Sequence, residues 1–80
     1  MSTNYEIYLE YPGKFYPSRD TLLENMAKLL KGRSGSSGYF FADDTRDISF
    51  VFKNEESVSK FYRAIKKKKL ATVLRIEVEF

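Results

Sequence analysis

Hydrophobic and polar positions alternate with a period of two through several stretches of this chain, and with a helical period through two others. The clearest alternation runs from Asp47 to Lys53. Ile48, Phe50 and Phe52 share one face, while Asp47, Ser49, Val51 and Lys53 share the other, which predicts a half-buried strand. Tyr39-Phe40-Phe41-Ala42 precede it across the polar turn Asp43-Asp44-Thr45-Arg46, so a hairpin is expected. Pairing Ala42 with Asp47 sets Phe41 beside Ile48 and Tyr39 beside Phe50 on one core. A one-residue slip would bury Asp47 and expose the apolar face that carries Phe50 and Phe52.

The same period appears over residues 4–11, with Tyr5, Ile7, Leu9 and Tyr11 opposed to Glu6, Tyr8 and Glu10. It returns over residues 70–80, with Leu74, Ile76, Val78 and Phe80 opposed to Val73, Arg75, Glu77 and Glu79. Between these strands the spacing turns helical. Ser18 offers an N-cap and Asp20 a first-turn acid, followed by Leu22, Leu23, Met26, Leu29 and Leu30, with Gly32 as the left-handed stop. Asn54 caps a second helix whose apolar stripe is Val58, Phe61, Tyr62 and Ile65 and whose end is Lys66-Lys67-Lys68-Lys69. Gly32 to Gly38 is rich in Gly and Ser. It follows a helix and opens a strand, the reverse of a phosphate-binding loop, and so reads as a flexible connector.

Strand–helix–strand repeated twice, with right-handed crossovers, interleaves into one antiparallel sheet of order 4-1-3-2 with two helices on one face. This is an α+β, ferredoxin-like βαββαβ arrangement, expected as a single domain over residues 1–80. The predicted core contains Ile7, Leu9, Leu22, Met26, Leu30, Phe50, Phe52, Phe61, Ile65, Leu74 and Ile76.

Composition narrows the chemistry. The chain has neither Cys nor His, so disulfides, thiol chemistry, imidazole-based catalysis and the usual zinc and haem ligands are absent. No cofactor, metal or small-molecule substrate is expected, and an enzyme is disfavoured. No apolar run approaches the roughly 18–20 residues that cross a bilayer. The first four residues lead straight into a strand pattern and leave no room for a signal peptide, so a cytoplasmic location is expected.

The net charge of +3 is unevenly placed. The open sheet face should carry Glu6, Glu10, Asp47, Glu77 and Glu79 against Lys53 and Arg75, which puts the positive charge on helices and loops. Lys66, Lys67, Lys68 and Lys69, with Lys14, Arg19 and Arg46, are expected along one edge as a candidate surface for nucleic acid or another anion. Cations at a helix C-terminus also complement the macrodipole without binding anything.

Element order and the stretch from Arg46 to Phe52 resemble an RNA-recognition motif, and Ile7-Tyr8-Leu9 resembles its first-strand motif. That family stacks bases on two aromatics of its third strand. Parity here puts Asp47 and Ser49 in those places and turns Phe50 inward. Arg19 is similar in position to the loop arginine of acylphosphatases, but that family's loop pattern is missing, and Asn54 is accounted for as a cap. The open face is left with Tyr8, Phe40 and Val51 as an apolar patch, surrounded by Glu6, Ser49 and Arg75. These six residues form a candidate protein contact. The reading that follows is a non-enzymatic interaction module that binds a protein partner as a regulator, inhibitor or accessory subunit. The alternative is a nucleic-acid binder that uses the lysine edge.

Overall fold

The structure, a computed structural model, describes residues 3–12, 17–40, 42 and 44–79, with backbone alone at 17 and 40. Its elements are β1 (Asn4–Pro12), α1 (Pro17–Leu29), β2 (Arg33–Phe40), β3 (Thr45–Phe52), α2 (Glu55–Lys68) and β4 (Thr72–Glu79). The four strands form one antiparallel sheet of order β2-β3-β1-β4, which is the expected order read from the other edge.

One face of the sheet is dry because every second residue of β1 and β3 is apolar. Ile7, Leu9, Tyr11, Ile48, Phe50 and Phe52 join Leu23 and Ala27 of α1 and Val58, Phe61 and Ile65 of α2 in a single buried cluster. Phe61 anchors it, with ring centroids 5.4 Å from Phe50 and 5.1 Å from Phe52. Such aromatic pairs add to the area they remove from water. Along α1 the buried apolar positions are Leu23 and Ala27, with Met26 and Leu30 half-buried beside them. Leu22 and Leu29 flank this stripe and are exposed, contrary to the expectation for Leu22.

Several local expectations give way to the fold. The Gly/Ser stretch is not a connector, because residues 33–38 are most of β2 and pair along β3 from Val51 to Asp47. The hairpin register differs as well. Tyr39 faces Arg46 and Phe40 faces Thr45, so Ser37, rather than Phe41, lies opposite Ile48. Poor strand formers extend here because an unpaired β3 edge offers them hydrogen bonds. Phe41, Asp43 and Phe80 lie outside the described residues, as does Lys14.

The helix ends are equally instructive. Pro17 opens α1, where its missing N–H and fixed φ are harmless, so Ser18 sits within the first turn rather than capping it. The left-handed stop of α1 is Lys31, φ 63°, and not Gly32. Helix α2 is capped as its sequence predicts: Asn54 Oδ1 accepts from the Ser57 amide at 2.8 Å. It ends on Lys69, whose left-handed backbone, φ 53°, turns its N–H back to the carbonyls of Ile65 and Lys66.

Strand β4 departs most from its expected burial. A bulge at Leu74 lets Val73 pair with Leu9 and Arg75 with Tyr8. Ile76 and Val78 are on the helix side, opposite Ile7 and Tyr5, yet they remain 40% and 47% exposed. Leu74 is 46% exposed, so Leu74 and Ile76 are both corrected from core to surface. Helix α2 packs on β4 but covers this edge strand incompletely, leaving Ile76 and Val78 in part exposed.

Candidate functional site

Three surfaces concentrate the chemistry: the open sheet face, the cleft at the end of α2, and the β4 edge.

On the open face, β1 and β3 bring Glu6, Tyr8 and Ser49 together with Gly35 and Ser36 of a bulge in β2. Ser49 is fully buried. Its hydroxyl donates to Glu6 Oε2 at 2.6 Å, accepts the Ser36 amide at 2.8 Å and lies 3.1 Å from Ser36 Oγ. Gly35 permits this close approach, since a Cβ there would lie 2.4 Å from Ser49 Oγ and 2.6 Å from Glu6 Oε2. Val51 is only 6% exposed, because β2 runs past it as far as Arg33.

Tyr8 is half-buried under Arg75, whose guanidinium carbon lies 3.9 Å from the ring centroid. This is a cation–π contact. Arg75 Nε also donates to Glu77 Oε2 at 3.1 Å. Partial withdrawal from solvent, with the carboxylates of Glu77 and Glu6 near its hydroxyl, pushes the Tyr8 pKa up to about 12. Tyr8 is therefore a hydrogen-bond donor at any physiological pH and not a base. Hydrogen bonding to Arg75 holds the Glu77 carboxyl below the usual range, and Glu79 is raised, chiefly by its hydrogen bond with Glu6.

Of the six residues expected to form a protein contact, then, Glu6, Tyr8, Ser49 and Arg75 make one self-satisfied polar network. Val51 is covered, and the side chain of Phe40 lies outside the described residues. A shallow depression of about 250 Å³ beside Tyr8, Leu74, Arg75, Ser36 and Asp47 is what remains open there.

The predicted basic edge divides. Arg19, Lys66 and Lys69 line one depression of about 560 Å³, floored by Tyr11, Leu70, Ala71 and Thr72. Arg19 is fixed against that floor, donating to the Leu70 carbonyl at 3.3 Å with its guanidinium 5.1 Å from the centre of the Tyr11 ring. Lys67 and Lys68 are exposed outside it.

Arg46 serves another purpose. Its guanidinium bonds Asp20 at 2.7 Å and the Gly38 carbonyl at 2.9 Å, while the Tyr11 hydroxyl donates to the other Asp20 oxygen at 2.5 Å. Asp20 holds the Arg46 pKa above its ordinary value. This largely buried network ties α1, β1, β2 and β3 together at one end of the sheet. Asp20 read in the sequence as a dipole acid and Arg46 as an anion contact, and nothing local marked them as partners 26 positions apart.

The third surface was missed at the sequence level because alternation predicted that β4 would bury its apolar side. Among the described residues, Leu74, Ile76 and Val78 of β4 stand with Leu22 and Leu29 as the large hydrophobics left exposed. β4 is also an edge strand, so among the described residues its outer amides and carbonyls have no neighbouring strand.

Among the described residues no group of three or more ligating side chains could hold a metal ion, and no helix is long and apolar enough to cross a membrane. No family model matches the chain, and no curated protein matches it at a significant level.

Proposed function

We propose that the protein is a non-enzymatic interaction module that binds a protein partner by adding a strand to the outer edge of β4. The observation that carries this reading is the combination of an unpaired ladder with exposed Ile76 and Val78 on the helix side. Strand addition supplies affinity through backbone hydrogen bonds and selectivity through alternate side chains. The opposite edge, β2, is interrupted by a bulge and is built largely of Ser and Gly, a combination that discourages pairing. From Arg75 to Glu79, β4 has no Pro, Gly, Lys or bulge.

The test is affinity capture from native extract with wild type and with Ile76→Lys plus Val78→Lys, each with and without nuclease. The expected result is a protein that survives nuclease and is lost with the β4 variant. Capture unaffected by the variant would move the contact elsewhere.

A second reading, polyanion binding, is favoured by one observation: Arg19, Lys66 and Lys69 converge on a single depression. Its test is the salt dependence of duplex-DNA binding by wild type and by lysine-to-glutamine variants of the helix end.

A further inference from the structure

The partner strand has a chemistry that β4 itself supplies. Antiparallel pairing keeps side chains of opposed residues on the same face, so a copy of β4 can pair with another only in registers that match like faces. Arg75, Glu77 and Glu79 belong to the open face, and Ile76 and Val78 to the helix face. Charge then selects among the allowed registers. With Arg75 on the two-fold axis, arginine meets arginine. With Glu77 there, glutamates meet on the axis. With Val78 there, Glu77 meets Glu79 of the other copy. With Ile76 on the axis, Arg75 of each copy lies opposite Glu77 of the other, and no like charges are opposed.

We infer that two copies of this chain associate through antiparallel β4–β4 pairing with Ile76 on the two-fold axis, joining their four-stranded sheets into one continuous sheet. This rests on the reading of β4 as a strand-accepting edge and names its occupant.

The register engages Arg75, Ile76, Glu77 and Val78, the exposed residues that follow the bulge. Ile76 meets its own copy on the helix side, and Val78 lies diagonally beside the other Ile76, within reach of a cross-strand contact. On the open face, Arg75 and Glu77 are 54% and 48% exposed and already positioned by their mutual bond, so each is available to a second partner. The bulge at Leu74 marks where a regular ladder stops. A ladder this short gives an interface well below the size of permanent dimers, so weak, concentration-dependent association is expected.

Opposed charges make the inference testable by exchange. Arg75→Glu places Glu opposite Glu in its own dimer, and Glu77→Arg places Arg opposite Arg. Mixed together, the two variants restore both Arg–Glu pairs. By sedimentation velocity over a wide concentration series, wild type should shift from monomer to dimer as concentration rises. Each single variant should lose association at least tenfold while keeping its fold by circular dichroism, and the mixture should recover a heterodimer.

Because the chain has no cysteine, Ile76→Cys adds an independent reading. Opposed Cα atoms about 4.5–5.5 Å apart fall in the range a disulfide spans. That variant should oxidise to a covalent dimer, and Leu22→Cys should not. A wild type that stays monomeric throughout overturns the inference, as does a dimer that is indifferent to both reversals. A monomer that still captures another protein through Ile76 and Val78 overturns self-pairing alone. A monomer with no β4-dependent capture overturns the strand-accepting reading with it.

Discussion

Glu77 and Glu79 are two residues apart on the same face of β4, and their carboxyls are pushed in opposite directions. Arg75 lowers Glu77, while Glu79 is raised first by its hydrogen bond with Glu6 and then by partial desolvation and the nearby Glu6 and Glu77 charges. Linkage turns those directions into opposite pH dependences. Stability from Glu79 is fully present below the ordinary carboxylate pKa and is lost as pH rises through its raised folded value. Stability from Glu77 is present above the ordinary value and is lost as pH falls through its lowered one. Glu79→Gln should therefore melt above wild type at neutral pH and converge with it below about pH 4. Glu77→Gln should melt below wild type at neutral pH and converge with it only as pH falls through the lowered Glu77 value. Thermal melts across pH 3–8 at low protein concentration check both. If the two variants respond alike, neither carboxyl is in the environment described here.

At the scale of elements, the two helix stops put lysine where glycine would be unstrained. Lys31 and Lys69 both have positive φ, and an L-residue in that region pays roughly 1 kcal/mol for it. Lys69→Gly should therefore stabilise the protein by about 1 kcal/mol. Lys67→Gly, inside the helix, should cost about as much. Urea denaturation decides the matter, and equal effects would mean that Lys69 is not the turning residue. Stops of this kind are hard to read from sequence, because Gly32 stood one position away with the better intrinsic fit. Three strands and the Asn54 cap were legible because alternation and capping chemistry are local signals. Most of β2 was not, since Ser and Gly carry no apolar period and become a strand only when β3 offers its edge. That miss extended to the site. A second strand confined to 39–42 would have left Ser49 and Val51 open, whereas one beginning at Arg33 covers both. The exposure of Ile76 was equally hidden, for it depends on how completely α2 covers the edge strand and not on the pattern within β4.

Over the whole molecule the charge is separated. The open face carries Glu6, Glu10, Asp47, Glu77 and Glu79 against Arg33 and Arg75, while Lys66 to Lys69 project from the end of α2 on a chain of net charge +3. A polyanion would be repelled by the sheet and drawn to the helix end. The geometry distinguishes a seated polyanion from one held in a diffuse cloud, because Lys66 and Lys69 line the depression with Arg19 whereas Lys67 and Lys68 do not. Four lysines engaging about four phosphates would give a log–log salt slope near −3.6 on duplex DNA. If the depression is the seat, Lys66→Gln with Lys69→Gln should flatten that slope by about 1.8 and weaken binding strongly. Lys67→Gln with Lys68→Gln should then do much less. The control is close, since each pair removes the same charge and Gln at position 69 meets the same left-handed backbone as Lys. Fluorescence anisotropy against duplex DNA at several salt concentrations measures both slopes. Equal losses from the two pairs would show that the lysines act only as a charged surface. Sub-micromolar affinity at physiological salt, lost with the first pair alone, would make an anionic polymer the principal partner and rank the cleft above the β4 edge.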